Sequence, residues 1–230
     1  MNIGIRGVLL DLDGTLLDTA PDMAAALNRL RGEEGEAPLE FDAIRPHVSH
    51  GAVALVRLGF PTADDQLFDT LRRRFIDVYA AQIANETRLF PGFETVLQTI
   101  ESRGLPWGVV TNKQTSLTCA LLAQLNLAHR AACIVCGDTV SQRKPHPAPL
   151  LHAANLLGLE PQSCIYVGDA ERDVQAGRAA GMRTVIALFG YLGAHDRPGE
   201  WCADGLINEP IELLGWLNGT DERTSSGGSK

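Results

Sequence analysis

Asp11 and Asp13 stand two residues apart, directly after the apolar run Val8-Leu9-Leu10 and before Gly14-Thr15. In extended chain that spacing points both carboxylates to one side, where they can share a ligand. Two like charges at the end of a buried strand are costly unless a cation or hydrogen-bond donors compensate them. Gly14 permits a tight turn, and Thr15 adds a hydroxyl beside it. An isolated Asp-x-Asp-Gly turn equally suits calcium binding or helix capping. Its chemistry depends on what the rest of the chain brings to it.

Other segments carry compatible groups at the ends of apolar runs. Thr111-Asn112-Lys113 follows Trp107–Val110, and Asp138 follows Cys133–Cys136, with Lys144-Pro145 before the next helical stretch. Gly168-Asp169 follows Cys164–Val167, with Asp173 four residues on. Alone, each has a plain explanation: a strand-end threonine, a solvated lysine, an ordinary strand-to-helix turn. In one parallel sheet, however, ligands bind outside the carboxyl ends of the strands. Such a sheet would gather Asp11, Asp13, Thr111, Lys144 and Asp169, a set suited to Mg²⁺ and a phosphoryl group.

The residue types assign a division of labour. Asp11 is expected to attack phosphorus, forming an aspartyl-phosphate. Asp13 is expected to protonate the departing alcohol and then deprotonate the incoming water. Thr111 and Lys144, with backbone N–H groups after Asp11, would hold the phosphoryl oxygens. The metal is assigned to Asp11 and Asp169, with a hard oxygen from Asp13, a backbone carbonyl there being the natural donor. Asp173 is expected to orient Lys144 or a water on the metal.

These groups need a scaffold of alternating strands and helices. Apolar runs predict strands at Gly7–Leu12, Trp107–Val110, Cys133–Cys136, Cys164–Val167 and Thr184–Phe189. Helices are expected at Phe93–Arg103, Ser116–Leu125, Pro147–Leu157 and Asp173–Ala180. Continuous apolarity in the strands means that both sheet faces are covered, so the class is α/β with parallel strands. Residues 18–86 differ: they are patterned for helices without a convincing central strand. One helix spans Asp22–Leu30 behind Pro21 and a capping Asp18-Thr19, one starts near Gly51, and one spans Asp65–Ala84. Inserted after the first strand, they would form a lid over the carboxyl end of the sheet. Residues 1–17 and 87–217 are then the core, 18–86 the helical cap, and the polar stretch 218–230 a disordered tail.

Composition narrows the partners. The 230 residues carry a net charge of −8, with 20 Lys and Arg against 28 Asp and Glu. That balance argues against nucleic acid or an anionic membrane as partner, yet permits a small anionic substrate drawn by one metal and one lysine. No apolar run approaches the ~20 residues of a membrane span. Five cysteines, and an Asp pair too close to Met1 for a removable signal, point to a reduced, cytoplasmic chain. Cys133-Ile134-Val135-Cys136 lacks the second pair that zinc wants and reads as small apolar strand residues. Composition is silent on oligomeric state.

Taken in order, Asp11–Thr15, Thr111, Lys144 and Gly168-Asp169 with Asp173 resemble the four motifs of haloacid dehalogenase-superfamily phosphatases. The similarity runs from about Gly7 to Leu214. It implies a Rossmann-like core with a type-one cap at residues 18–86, Mg²⁺ as cofactor, and a phosphate monoester as substrate. Asp18-Thr19-Ala20-Pro21-Asp22, Thr111-Asn112-Lys113 and Lys144-Pro145-His146-Pro147 resemble the phosphoglycolate phosphatase branch. Trp107–Lys113 and the late Gly190-Tyr191, Asp196, Pro198, Trp201 and Ala203-Asp204 lean towards enzymes acting on N-acetylmuramic acid 6-phosphate in peptidoglycan recycling. 2-Phosphoglycolate is the alternative, and a β-phosphoglucomutase-like mutase or a non-catalytic binding protein ranks below it. Asp13 argues against a dehalogenase, because halide leaves without protonation. The absence of lysine from residues 1–103 argues against a phosphonate-cleaving relative that needs a cap lysine. For substrate binding the expected residues are Thr111, Asn112 and Lys144 of the core, with Arg45 and His50 from the cap. Arg45 is expected to pair with a substrate carboxylate.

Overall fold

A computed structural model describes residues 4–217; the tail expected at 218–230 lies outside them. Its sheet has the strand order β5-β4-β1-β6-β7-β8, every neighbouring pair parallel. The strands are β1 Gly7–Leu10, β4 Trp107–Val110, β5 Cys133–Val135, β6 Cys164–Gly168, β7 Arg183–Ala187 and β8 Gly205–Ile207. The five expected strands occur where the apolar runs lie: β4 matches its run, β1 and β5 stop short of theirs, β6 runs on to Gly168, and β7 starts at Arg183 and ends at Ala187. β8 has no apolar run to announce it, since only Ile207 of its three residues is buried. β2 Leu17–Asp18 and β3 Arg88–Leu89 form a separate antiparallel pair where the chain leaves and re-enters the core.

Helices α5 Phe93–Ser102, α6 Thr115–Gln124, α7 Ala148–Leu157 and α8 Glu171–Ala179 make the crossovers. They cover both sheet faces, which leaves β1 wholly buried and explains its unbroken apolarity. Leu10, Phe93, Val96 and Trp107 belong to one cluster, while Leu9, Val110, Leu150 and Tyr166 belong to the other. β1 lies between β4 and β6, with the chain winding outward on either side of it. The crevice at its carboxyl end is therefore the place where such sheets bind ligands.

Between β2 and β3 lie α1 Ala20–Glu33, α2 Phe41–Ile44, α3 Gly51–Gly59 and α4 Asp65–Ala80, with a 3₁₀ turn at Arg45–His50. Leu27, Leu30, Val56, Leu71 and Phe75 make this insert's core, continuous with that of the sheet. Its boundaries differ from the periodicity in two places. α1 begins before Asp22, and Thr19 does not cap it with its side chain. Instead the Tyr191 hydroxyl accepts from the N–H groups of Thr19 (2.6 Å) and Ala20 (2.9 Å). α4 stops at Ala80 rather than Ala84. The amides of Glu86 and Thr87 instead donate to the Asp22 carboxylate at 2.9–3.1 Å, turning the chain back towards the core.

All five cysteines are free. Burial pushes the Cys133 thiol up to about 11, as expected of an inert strand residue. Among the described residues no helix is long and apolar enough to cross a membrane.

Candidate active site

Asp11 is the first residue past β1, and its N–H still donates to Val167 of β6 at 2.9 Å. Thr111 stands at the equivalent point past β4, its N–H on the Val135 carbonyl at 2.9 Å. Asp169 follows β6, and Asp173 is in the first turn of α8. Parallel pairing thus carries all four side chains to one edge. Gly14, at φ +83°, lets the loop after Asp11 close against Asp169, because a Cβ there would lie 2.2 Å from Asp169 Oδ2. A side chain at that position would be strained twice, by its backbone and by the carboxylate.

Lys144 ties the acids together. Its Nζ lies 2.9 Å from Asp11 Oδ1 and 2.8 Å from Asp173 Oδ1, and it donates to the Val110 carbonyl and the Tyr166 hydroxyl. Asn112 holds the backbone of Lys144 by a reciprocal pair: its amide donates to the Lys144 carbonyl (2.9 Å), and its Oδ1 accepts the Lys144 N–H (3.1 Å). The Lys144 side chain is 1% exposed, so the charge pairing acts at low dielectric, where removing one partner is expensive.

Asp169 is more demanding. Its Oδ2 accepts from Ser49 Oγ (2.6 Å) and the Tyr191 N–H (2.9 Å), while Oδ1 is buried with no partner. Burial, then the charges of Asp11 and Asp173, push its carboxyl up to about 7. Burial also raises Asp11, against the opposing pull of Lys144. A carboxyl with a raised value keeps its proton in the folded state over a range where the unfolded chain has shed it. Stability of the metal-free protein should therefore fall as pH rises from about 4 to about 7 and level off above that. We expect melting temperatures in EDTA to follow this slope and Asp169→Asn to flatten it; an equal slope in the variant would exclude Asp169 as its source.

Such strain is what a cation relieves. Asp11, Asp169 and Asp173 can each offer an oxygen within 4.8 Å of the others. Asp173 has both oxygens engaged, by Lys144 and Tyr166 on one and by the Ala170 N–H on the other. Asp11 and Asp169 are left as the better donors, Asp169 Oδ1 above all. A set of hard carboxylate oxygens suits Mg²⁺.

The Asp13 side chain points elsewhere. Its Oδ1 accepts from Thr19 Oγ1 (2.7 Å) and Lys113 Nζ (2.8 Å), and Asp13 is absent from the group of acids close enough to share an ion. Lys113 also donates to Tyr79 of α4 at 3.0 Å. Burial opposes its charge, but Asp13 and Tyr79 outweigh burial and hold the ammonium above the ordinary lysine value. Asp13 therefore faces a cavity of about 340 Å³ between the sheet edge and the insert. Asp11, Thr111, Asn112 and Lys113 form its core side, and Val48, Phe75, Ile76 and Tyr79 its apolar roof.

The two expected cap residues part ways. His50 lines the cavity, and burial, then the charge of Arg172, lowers its imidazole below the ordinary value. Arg45 does not line it. The Arg45 guanidinium donates to the Phe189 carbonyl at 3.0 Å and lies 5.0 Å from the Tyr191 ring centre, bracing the insert against the loop after β7. Lys113, Arg172 and Tyr191 received no role from the sequence. Arg172 donates to the Ser49 carbonyl at 2.6 Å, fastening the Ser49-His50 turn to α8. Its position between two motif acids was the one available hint.

Comparison with known proteins shows the family and the fold. The family model for haloacid dehalogenase-like hydrolases matches residues 8–187. A phosphoglycolate phosphatase of Xanthomonas campestris is 44% identical over 208 residues, covering 90% of this chain and 94% of the relative. An N-acetylmuramic acid 6-phosphate phosphatase of Pseudomonas putida is 42% identical over 212 residues, covering 91% of this chain and 94% of the relative. A solved Haemophilus somnus structure, described as a predicted phosphoglycolate phosphatase, superposes with TM-score 0.83 at 24% identity, covering 92% and 97% of the two chains.

Proposed function

The chain belongs to the haloacid dehalogenase-like hydrolase family and is a phosphatase, and we propose that it is a Mg²⁺-dependent phosphomonoesterase acting on N-acetylmuramic acid 6-phosphate. In this reading residues 18–86 are a cap that encloses the substrate above the core. Asp11 Oδ2 attacks phosphorus in line with the ester oxygen, and the P–O bond to the alcohol breaks as Asp13 gives that oxygen a proton. Asp13 then takes a proton from water, whose oxygen attacks the phosphoryl group and returns Asp11 as a carboxylate with free phosphate. Thr111 and Lys144 hold the phosphoryl oxygens through both steps. Asn112 keeps Lys144 in register, and Asp173 fixes its ammonium beside Asp11. Asp11 and Asp169, with the Asp13 backbone carbonyl, would hold Mg²⁺, which would supply charge neutralisation for a dianion meeting an anionic nucleophile.

The observation that carries the substrate is the size and character of the cavity. At about 340 Å³ it falls in the range that takes a molecule of about two dozen non-hydrogen atoms. Its roof of Val48, Phe75, Ile76 and Tyr79 offers apolar and aromatic surface to the C–H face of a sugar ring. 2-Phosphoglycolate, with about nine such atoms, would leave most of that roof against water. The naming of relatives at 43–44% identity as phosphoglycolate phosphatases makes it the second reading. A panel of N-acetylmuramic acid 6-phosphate, 2-phosphoglycolate and glucose 6-phosphate, with and without EDTA, tests both parts. We expect the highest kcat/KM on the first, loss of turnover in EDTA, and recovery with Mg²⁺. A preference for 2-phosphoglycolate would overturn the substrate, and full activity without metal would remove Mg²⁺.

A further inference from the structure

We propose that Arg72 recognises a carboxylate held across a sugar ring from the scissile phosphate. This rests on the phosphatase reading of the site and names the feature by which the cap selects its substrate. Arg72, Phe75, Ile76 and Tyr79 of α4 all line the cavity, as the spacing i, i+3, i+4, i+7 on one helical face requires. The far end of that face is anchored over the chemistry. Tyr79 Oη is 3.0 Å from Lys113 Nζ, which is 2.8 Å from Asp13. Seven residues back along the helix, at about 1.5 Å each, set the Arg72 backbone roughly 10 Å from that of Tyr79.

Arg72 is also the cavity cation with unmet demand. Its Nε is buried without a partner. Among the described residues its one ion pair is a 3.6 Å approach of Nη2 to Asp69, whose side chain is 62% exposed, and pairs of that kind contribute little. The other cations of the cavity are engaged: Lys113 by Asp13 and Tyr79, Arg172 by the Ser49 carbonyl, Arg143 by the Gly137 carbonyl. Arg45, the cap arginine expected to meet a carboxylate, is spent on Phe189 and Tyr191. An Nε–H without an acceptor is a demand that a carboxylate meets once the side chain turns its Nε–Nη fork into the cavity.

The spacing decides which acid. In 2-phosphoglycolate the carboxylate carbon is three bonds from phosphorus, about 4 Å at bond lengths near 1.5 Å, too short to span the cavity. An acid carried on the side of a pyranose opposite a 6-phosphate lies roughly 8–10 Å away by the same bond lengths. Such a span suits a cavity whose lining runs from Asp13 on the core side to Arg72 on α4.

The test compares the wild type, Arg72→Ala and Arg72→Lys on three esters: N-acetylmuramic acid 6-phosphate, N-acetylglucosamine 6-phosphate, which lacks the acid, and 2-phosphoglycolate. We expect Arg72→Ala to raise KM for the first by about 10–100-fold, the loss of a charge-assisted hydrogen-bonded pair. Its kcat should stay within about twofold, and the other two esters should be unaffected. Arg72→Lys should recover part of the loss, keeping charge without the fork. An equal loss on all three esters, or none on the first, overturns the assignment. A loss confined to 2-phosphoglycolate overturns the ring-spanning geometry. A wild type preferring 2-phosphoglycolate overturns the proposed substrate alone, because the ratio between the two sugar phosphates still judges Arg72.

Discussion

Asp11→Asn should lower kcat by about 10⁴-fold or more, the scale on which removal of a covalent nucleophile is felt. The amide keeps the size of the side chain but cannot form the acyl phosphate. The fold should survive the change. Lys144 keeps Asp173 at 2.8 Å and the Val110 carbonyl at 3.1 Å, so no buried charge is stranded. Burial already disfavours charge on Asp11, which means that a neutral replacement removes some strain while losing one ion pair. Circular dichroism and the melting temperature in EDTA should accordingly stay close to wild type. Retention of more than a few per cent of turnover would remove Asp11 as the nucleophile. An unfolded variant would instead place its role in the packing of the sheet edge.

Lys144→Met should cost both activity and stability. The methionine fills the space, yet leaves Asp11 and Asp173 facing each other with no cation between them. Breaking one side of a buried ionic cluster typically costs about 3–5 kcal/mol, and we expect a loss of that size in urea titrations at pH 8 in EDTA. The sign with pH follows from the acids that remain. Without the ammonium, whose pull opposes the burial of Asp11, the Asp11 carboxyl keeps its proton more readily when folded, so the deficit should shrink as pH falls and grow as it rises. Turnover should fall by at least about 10³-fold, since phosphoryl oxygens lose a buried charged donor. A deficit independent of pH would show that Lys144 acts through packing rather than charge.

These two residues illustrate what could be read before any coordinates. Asp11, Thr111, Lys144 and Asp169 each follow, or precede by a turn, an apolar run that can only be a buried strand or its crossover. Parallel topology then leaves them a single edge at which to meet. The misreadings share the opposite property. Arg45 contacts Phe189, 144 positions away, through a backbone carbonyl; a carbonyl has no sequence signature, so nothing distinguished that partner from a substrate. Thr19 resembles a helix cap, but a tyrosine hydroxyl 172 positions later takes the role. Lys113 sat in plain view, one of only three lysines in the chain. Its significance depends on the approach of Tyr79, which is fixed by the packing of α4 and not by any local pattern. β8 was illegible for a simpler reason: a three-residue edge strand with one buried side chain leaves too short a pattern to detect.

Tyr191 bears on how such enzymes change substrates over time. Its hydroxyl receives the first N–H groups of the insert and donates to Asp18, its ring lies under Arg45, and its own N–H holds Asp169. The insert's anchorage is thus encoded partly about a hundred residues downstream of the insert itself. Exchange of the helices between β2 and β3 among related genes would deliver new helices to a seat cut for the old ones, with the Asp169 carboxylate attached to the same peg. The anchored unit is discontinuous in sequence: these helices and the loop after β7 share one fastening at Tyr191.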